Sequence, residues 1–303
     1  MLRILLIGSA GQVGFELAAP LRAIGDVTAL DRNALDLSDR DAVRTAVSSV
    51  EPSLIVNAAA YTRVDDAESE PETARAINAV APGVLAEEAR RLGAALVHYS
   101  TDYVFDGRAT TPYREDDPAE PESIYGRTKL EGERAVIASG ASAIVLRTSW
   151  VYGLRGRNFL LTIRRLAGER DELRVVDDQI GAPTWCGAIA RATTQAIGSL
   201  GSDPARALAG REGIYHLTCA GSTSWWGFAR ALLDRDEDPA RRSVSVVPIP
   251  TSEYPTPAPR PAWSVLDNAR FAATFGIRLA DWEIALDAAL GRRDPDSVVE
   301  RAM

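Results

Sequence analysis

The sequence predicts an α/β protein with a Rossmann-type doubly wound parallel sheet and a smaller C-terminal region. Short β-rich runs alternate with segments of helical spacing throughout the first half of the chain. The runs are apolar almost without interruption, which is typical of parallel strands covered on both faces by helices. A glycine-rich turn directly follows the first run and opens the first helix. Together these observations predict the fold class.

The predicted elements follow in order along the chain. Strands are predicted at residues 4–7, 27–30, 54–58, 95–100 and 143–147, with helices at 11–24, 40–50, 71–92 and 125–138 between them. After residue 150 the pattern loosens, and we predict helices at 158–167 and 186–197, a loop at 201–212, and strands at 213–218 and 243–249. The proline cluster at 248–261 is an ordered loop or an extended segment, and a poorly ordered tail begins at about residue 292.

Composition and charge limit the classes of function. A chain of 303 residues suggests one large domain or two closely joined ones, and its hydrophobic and charged contents are ordinary for a globular protein. The net charge of −8 argues against nucleic acid or an anionic membrane as a partner. The two cysteines, Cys186 and Cys219, lack the spacing of a disulfide framework or a zinc site. No apolar run is long enough to span a bilayer, and the opening run continues into Gly8 without a cleavage region, so we expect a reducing, cytoplasmic location.

The glycine turn, GSAGQVG at residues 8–14, predicts a dinucleotide site. Glycines in a strand–turn–helix unit let a pyrophosphate approach the backbone, where it meets the positive end of the helix. The expected contacts are Gly8, Gly11, Gln12, Val13 and Gly14. Asp31 follows the second strand, where its carboxylate can bind an adenosine ribose and repel a 2′-phosphate, whereas Arg32 can attract that phosphate. The cofactor is therefore NADPH or NADH, and the choice stays open.

Further cofactor contacts are expected at the ends of two strands. Asp36 and Leu37 can reach the adenine edge, although Ser38 or Asp39 serves equally well as a helix N-cap. The small side chains of Ala58, Ala59 and Ala60 would let a dinucleotide lie against the backbone.

Tyr125 and Lys129 lie one helical turn apart and predict a proton donor. On a helix these two side chains share a face, so the ammonium can lower the pKa of the phenol. Thr101, at the end of a predicted strand, can donate a hydrogen bond to a carbonyl oxygen while Tyr125 supplies the proton, which fits hydride transfer to a ketone. His98 and His216 are predicted to be hydrogen-bonded core residues. No group of side chains has metal-ligand spacing, so no metal is expected.

Six longer stretches carry a more specific resemblance. They are residues 56–62 (VNAAAYT), 98–105 (HYSTDYVF), 125–132, 147–152 (RTSWVY), 178–184 (DQIGAPT) and 254–261 (YPTPAPRP). On these stretches the chain resembles the extended short-chain dehydrogenases/reductases and, within them, the dTDP-4-dehydrorhamnose reductase family, over nearly its whole length. The resemblance implies reduction of the C4 ketone of dTDP-4-dehydro-6-deoxy-L-mannose to dTDP-L-rhamnose, with a dTDP-sugar as substrate and NADPH or NADH as cofactor.

The resemblance also implies roles for individual residues. Thr101, Tyr125 and Lys129 form the catalytic set, with Tyr125 and Lys129 also touching the cofactor. The substrate pocket would be formed by Thr62, Val64, Thr101, Asp102, Tyr103, Phe105, Trp150 and Arg260. Of these, Arg260 would bind the diphosphate or else stabilise the proline loop, and Trp150 would contact the sugar or else pack between the domains. Residues 1–150 are expected to form the dinucleotide-binding domain with 181–212 packed on it, and 151–180 and 213–303 to form the substrate-binding region.

The chain departs from the family at one expected metal site. Some members are thought to dimerise through a metal held by a glutamate after the glycine turn and by carboxylates after the GAPT segment. Glu16 matches the glutamate, but Gly187 and Arg191 stand in the later region, so we expect no bridging metal and a monomer or a homodimer. Alternative functions are another nucleotide-sugar reductase or epimerase, or a non-catalytic dinucleotide-binding regulatory subunit.

Overall fold

The computed structural model describes residues 1–302. Its strands, in chain order, are β1 (Leu2–Ile7), β2 (Gly25–Leu30), β3 (Leu54–Asn57), β4 (Ala95–Thr101), β5 (Ser142–Thr148), β6 (Val151–Tyr152), β7 (Glu172–Val176), β8 (Ile180–Gly181), β9 (Thr184–Trp185), β10 (Gly213–His216), β11 (Thr223–Ser224), β12 (Ser245–Ile249), β13 (Ile277–Leu279) and β14 (Val299–Arg301). The α-helices are α1 (Gln12–Arg22), α2 (Arg40–Val50), α3 (Val64–Ala67), α4 (Pro71–Arg75), α5 (Ala81–Leu92), α6 (Ile124–Ala138), α7 (Phe159–Ala167), α8 (Cys186–Gly198), α9 (Pro204–Ala207), α10 (Trp225–Asp234), α11 (Pro239–Arg242), α12 (Ala269–Phe275) and α13 (Trp282–Ala289).

Six of these strands form one parallel sheet in the order β10-β5-β4-β3-β1-β2. The five strands predicted in the first half are all present, and the predicted fold class is confirmed. The strand order reverses next to β1, so the carboxyl ends of β1, β3 and β4 face one crevice. The sixth strand, β10, pairs with Ile144–Arg147 of β5. It therefore belongs to the main sheet, although the sequence placed it in the substrate-binding region.

Alternating side chains of the central strands supply two separate cores. In β1, Ile4 and Leu6 point into a core on one face, whereas Leu5 and Ile7 point into a core on the other. Successive side chains of a strand face opposite sides, so a strand buried on both faces is apolar at every position. Helices α1 and α8 pack on the first face, and α2, α5 and α6 cover the second. This two-sided burial explains the uninterrupted apolar runs of the sequence.

The predicted helix at 71–92 is interrupted by a π-helical turn at Ala76–Val80. This turn carries Asn78, which is 1% exposed. Its side chain accepts a hydrogen bond from Tyr61 N (2.8 Å) and donates to Tyr61 O (3.1 Å) and to Thr128 Oγ1 (3.2 Å). These tertiary bonds compensate for the irregular turn, and they fix the start of the loop that follows β3.

Two other predictions after residue 200 are wrong. The predicted loop at 201–212 contains α9, whose first turn is capped by the Asp203 carboxylate. The expected tail is ordered: a 3₁₀ turn at Pro295–Val298 leads into β14, which pairs antiparallel with β13. Val298 is fully buried and its carbonyl accepts a hydrogen bond from Ala280 N, so burial of one apolar side chain and a short ladder hold this end in place. Within residues 1–302, no helix combines the length and apolarity needed to cross a bilayer.

Candidate active site

The glycine turn is closed too tightly for side chains. Gly8 has a φ of +85°, and a Cβ there would lie 2.7 Å from Ala59 N. A Cβ at Gly14 would lie 2.1 Å from the Gly8 carbonyl oxygen. Gly11 is the N-cap of α1 and has no side chain that could accept a hydrogen bond. The first backbone amides of α1 are therefore not capped by a side chain. Close backbone approach and an uncapped helix N-terminus fit the pyrophosphate of a dinucleotide.

Gln12 and Val13 differ in what they contact. The Gln12 Oε1 atom accepts a hydrogen bond from Asn158 Nδ2 at 2.8 Å, and Asn158 also caps α7 through Leu161 N. This contact ties the glycine turn to the second half of the chain. Val13 packs against the core.

Charged residues after β2 hold backbone turns. Asp31 Oδ1 accepts hydrogen bonds from Asn33 N (2.9 Å) and Ala34 N (3.1 Å), and these bonds hold the pKa of Asp31 below its ordinary value. Arg32 is exposed beside it.

The next segment settles the question of the helix cap. Asp36 accepts hydrogen bonds from the Ser38 side chain and amide, which lower the pKa of Asp36. Asp39 caps α2, and Leu37 is buried in the second core.

The segment after β3 lies between the glycine turn and α6. Ala58, Ala59 and Ala60 are half-buried, and Ala59 N donates to Asn57 Oδ1 at 3.2 Å. Thr62 is exposed, whereas Val64 packs with Tyr125 in a small apolar cluster.

Thr101 and Tyr125 meet at the carboxyl end of β4. Thr101 is the last residue of β4, and its Oγ1 donates to Asp102 Oδ1 (2.9 Å) and accepts from Tyr103 N (3.2 Å). Tyr125 lies in the first turn of α6, which is capped by Ser123. Burial raises the pKa of Tyr125 above its ordinary value, while a hydrogen bond with Thr101 opposes that rise and Asp102 adds to it.

Lys129 is almost completely buried below Tyr125, with 1% of its surface exposed. Its Nζ donates to the Tyr99 carbonyl at 2.6 Å and lies 3.4 Å from His98 Nε2. Burial lowers the pKa of Lys129 to about 8, with Glu133 opposing. The prediction that Lys129 lowers the pKa of Tyr125 is wrong in this arrangement, because the amine faces the strand backbone and the buried phenol is desolvated.

Both histidines are hydrogen-bonded core residues, as predicted. His98 is fully buried and contacts Asn57 Nδ2 at 3.1 Å. His216 is also fully buried, and its Nδ1 donates to the Asp267 carbonyl at 3.1 Å.

Asp102, Tyr103 and Phe105 follow Thr101 in different environments. Asp102 is 4% exposed, and burial raises its pKa to about 6 although the hydrogen bond from Thr101 opposes the rise. The Tyr103 ring meets the Tyr125 ring edge-on at 5.5 Å. Phe105 is 2% exposed and stacks on Tyr113 at 4.2 Å, in a cluster separate from Tyr125.

The structure gives Trp150 and Arg260 packing partners. Trp150 has a φ of +48°, and its ring stacks on Trp225 at 3.5 Å. Arg260 Nη2 pairs with Asp65 Oδ2 at 2.7 Å, and Ala258 N donates to the same carboxylate. Arg260 therefore joins the proline loop to α3, and Trp150 joins β6 to α10.

Sequence reasoning did not assign three side chains near the site, of which Asn57 and Asn78 are buried and Trp225 is half-buried. Asn57 and Asn78 hold the loop after β3, and Trp225 stacks on Trp150. The position of Asn57, directly before the alanine run, was the available signal for that residue. Asn78 and Trp225 act through tertiary contacts that the sequence pattern does not contain.

A dinucleotide-type glycine turn, a parallel sheet and a Thr–Tyr–Lys set at the carboxyl end of β4 define an extended short-chain dehydrogenase/reductase. The family model for the RmlD substrate binding domain matches residues 2–294. The chain belongs to the dTDP-4-dehydrorhamnose reductase family, and this assignment makes it an NAD(P)-dependent oxidoreductase.

Named relatives and solved structures agree with this assignment. The chain is 47% identical over 289 residues to the dTDP-4-dehydrorhamnose reductase of Burkholderia thailandensis, covering 94% of this chain and 97% of that protein. It is 41% identical over 294 residues to the same-named protein of Escherichia coli K12, covering 94% and 96%. Among solved structures, the dTDP-4-dehydrorhamnose reductase of Bacillus anthracis in complex with NADP has a TM-score of 0.87 and 33% identity, covering 96% of this chain and 99% of that one.

Proposed function

We propose that this chain reduces the C4 ketone of dTDP-4-dehydro-6-deoxy-L-mannose with NADPH or NADH and forms dTDP-L-rhamnose. The observation that carries the proposal is geometric: Thr101 Oγ1, at the carboxyl end of β4, accepts a hydrogen bond from Tyr103 N, and the Tyr103 ring meets the Tyr125 ring edge-on at 5.5 Å. Family membership supplies the substrate, since the geometry does not distinguish thymine from uracil.

The chain's backbone would hold the cofactor. Gly8, Gly11 and Gly14 allow its pyrophosphate to approach the first turn of α1, and Ala58 to Ala60 leave room along β3. When bound, a reduced nicotinamide supplies the hydride that the ketone carbon receives. The small residues at both strand ends serve this role because any larger side chain would fill the crevice.

Tyr125 would supply the proton to the ketone oxygen. A raised pKa keeps the phenol protonated, which is the form that a proton donor needs at neutral pH. The Thr101 hydroxyl, which donates to Asp102 here, would turn to the ketone oxygen and stabilise the charge that develops on it. The Lys129 side chain, which lies below Tyr125, would help to position Tyr125 and would bind the nicotinamide ribose.

The substrate would lie against the segments that follow β3 and β4 and against the proline loop. Asp102 and Tyr103 border Tyr125, and Val64 belongs to the same apolar cluster. Arg260 would reach the diphosphate from its place beside Asp65, since a guanidinium matches phosphate geometry. Residues 151–180 and those after β10 would complete the substrate-binding region. The oligomeric state, monomer or homodimer, and the cytoplasmic location stay predictions.

The test is turnover of purified protein with the 4-keto sugar nucleotide and either NADPH or NADH, followed as loss of nicotinamide absorbance. We expect oxidation of the cofactor only when the sugar is present, with dTDP-L-rhamnose as product. The same protein without sugar is the blank, and a UDP-linked 4-keto sugar tests the nucleotide. Cofactor binding without turnover would support a regulatory subunit instead and would contradict the proposal.

A further inference from the structure

Residues 178–184 (DQIGAPT) carry part of the family resemblance, yet the proposed reaction assigns them no task. They contain β8 and β9, and β8 pairs antiparallel with β11, which directly precedes α10. The backbone of Ile180 also donates to Ala262 O at 2.8 Å and accepts from Ser264 N at 2.7 Å. The segment thus connects α10 with the residues that follow the proline loop.

Trp150 lies between this segment and the reacting end of the crevice. It follows β5, whose last residue, Thr148, is paired with Thr101 of β4. Its side chain is half-buried. The backbone of Trp150 has a φ of +48°, a left-handed conformation that bulky residues rarely adopt. Such a conformation persists only where the surrounding contacts hold it.

Both faces of the Trp150 indole are covered. Trp225, the first residue of α10, stacks on one face, with ring centroids 3.5 Å apart and planes 3° apart. A Cβ at Gly181 would lie 2.4, 2.6 and 2.8 Å from the adjacent ring atoms Cε2, Nε1 and Cδ2, which places Gly181 over a ring face and not at the edge. The stacked rings leave no room between them, so Gly181 covers the opposite face. Only the edge of the indole is left for a ligand.

A row of hydrogen bonds fixes the orientation of Trp225. Its Nε1 can only donate, and it donates to Gln179 Oε1 at 3.2 Å. Gln179 Nε2 then donates to Thr251 Oγ1 at 3.0 Å, and the Thr251 hydroxyl donates to the Asp178 carboxylate. Gln179 is 7% exposed, so water does not readily replace these partners. Phe159 packs against Trp225 at 4.5 Å.

We propose that Trp225, oriented by Gln179, is a positioning residue that fixes the Trp150 indole so that the sugar of the substrate meets its edge. Gly181 completes the arrangement, because the absence of a side chain lets the backbone lie against the other face. The packing of Trp150 and its expected contact with the sugar are then one arrangement. The identity of the sugar rests on the proposed function, whereas the fixed position of the indole rests on protein contacts alone.

Covering both faces has a consequence for binding. A sugar cannot stack on the Trp150 indole unless Trp225 moves away. An indole that is already held in place costs little conformational entropy when the ligand binds, whereas a mobile one must be ordered at that moment. Loss of Trp225 should therefore weaken the contribution of the sugar to affinity and leave that of the nucleotide unchanged.

The first test needs no ligand. Protein labelled with 5-fluorotryptophan contains six tryptophan ¹⁹F signals, and single Trp→Phe variants assign those of Trp150 and Trp225. In Trp225→Leu we expect the Trp150 signal to shift and broaden as the ring takes several positions. Trp226→Leu is the matched control, because it replaces the next residue, also half-buried, whose Nε1 donates to Val246 O at 2.9 Å. An unchanged Trp150 signal in Trp225→Leu would overturn the proposal.

The second test compares the affinities for dTDP-L-rhamnose and dTDP by calorimetry. In Trp225→Leu we expect the ratio of the two affinities to fall by at least about fivefold, because one side chain must now be ordered on binding. Gln179→Leu is a milder change that keeps the stacked ring, and its ratio should fall less. Trp226→Leu should keep the parental ratio. An equal loss for dTDP and dTDP-L-rhamnose in Trp225→Leu would contradict the positioning role.

The same labelled protein tests which part of the indole the sugar meets. Addition of dTDP-L-rhamnose should shift the Trp150 signal more than the Trp225 signal. A larger shift at Trp225 would mean that the two rings separate to admit the sugar, and the proposal would be wrong. In turnover, Trp225→Leu should raise KM for the sugar nucleotide more than it lowers kcat, and a change in kcat alone would contradict the role.

Failure of the proposed function is distinguishable from failure of this inference. A parent protein that neither binds nor reduces the sugar nucleotide would contradict the proposed function. The ligand-free ¹⁹F spectra of Trp225→Leu and Trp226→Leu would still decide whether Trp225 fixes the position of Trp150.

Discussion

The two ends of the crevice differ in which atoms form them: backbone at the cofactor end and buried polar side chains at the reacting end. At the cofactor end, backbone and hydrogen atoms define the shape: Gly8 and Gly14 leave no space for a Cβ, and the nearby carboxylate of Asp31 lies at the surface holding a turn. At the reacting end, buried polar side chains define the site, and Thr101 and Lys129 are 6% and 1% exposed. Steric fit therefore governs the first end, and desolvation governs the second.

This difference determines how each end responds to substitution. A methyl group added at the cofactor end displaces backbone, whereas an exposed charge removed there has a modest effect because water screens it. At the reacting end, changes that conserve volume can still have large effects, because each polar atom there lacks water as a substitute partner.

The largest effect should come from removing one hydroxyl at the reacting end. Tyr125→Phe conserves the ring that meets Tyr103 but removes the proposed proton donor. We expect turnover to fall by at least about a hundredfold while the affinity for NADPH stays nearly unchanged. Steady-state kinetics and a fluorescence titration of NADPH measure the two quantities. Equal turnover in variant and parent would disprove the assignment of Tyr125.

Asp102→Asn tests the cost of burying a charge beside Thr101. Burial raises the pKa of Asp102 from 3.8 to about 6, so the folded state binds the proton more tightly than the unfolded state. Ionisation of Asp102 therefore lowers the free energy of unfolding as pH rises from about 4 to above 6. The variant lacks this loss, so its stability advantage over the parent should grow by about 2 kcal/mol across that range.

Urea unfolding of both proteins at about pH 4.5, 5.5 and 7 measures this difference in the free energy of unfolding. Titrations elsewhere in the chain are common to both proteins and cancel in the comparison. A difference that stays constant with pH would mean that the Asp102 carboxyl ionises as an ordinary exposed group does.

Gly14→Ala tests steric fit at the cofactor end of the crevice. Its new Cβ would lie 2.1 Å from the Gly8 carbonyl oxygen, so the turn or α1 must move. We expect the affinity for NADPH to fall by at least about tenfold, since the helix N-terminus no longer fits the pyrophosphate. Gly198→Ala is the matched control: it ends α8, has no atom within 4 Å of the new Cβ, and should leave NADPH affinity unchanged. A similar loss in both variants would remove the steric explanation.

The sequence predicted the sheet better than it predicted the site. Strands β1, β3, β4 and β5 are mostly apolar runs whose burial on both faces leaves a direct pattern in the chain. The pairing of β14 was missed because only Val299 of its three residues is even half-buried, and the π turn was missed because Asn78 acts through contacts with Tyr61 and Thr128. These elements depend on tertiary partners rather than on periodicity.

The pKa shifts of Tyr125 and Lys129 likewise depend on tertiary contacts that the sequence pattern does not contain. The spacing of Tyr125 and Lys129 placed both on one helix face, and the structure places them so. Spacing did not indicate that Nζ would bond the Tyr99 carbonyl, nor that both groups would be buried. The direction of a pKa shift depends on burial and on the nearest charges, and neither can be obtained from helical spacing alone.

The smallest predicted effect concerns the choice between NADPH and NADH at the half-buried residue Asp31. Asp31→Asn keeps the Oδ1 acceptor that serves Asn33 N and Ala34 N, so the turn should persist while the negative charge is lost. We expect the ratio of NADPH to NADH affinity to rise by about fivefold, because a 2′-phosphate is no longer repelled. Arg32→Ala should change the ratio in the opposite direction. Both effects should shrink as salt is raised, since Arg32 is exposed and Asp31 is partly exposed to water. An effect of Asp31→Asn that is insensitive to salt would mean that the turn itself had changed, and the carboxylate would then act through backbone shape as Gly14 does.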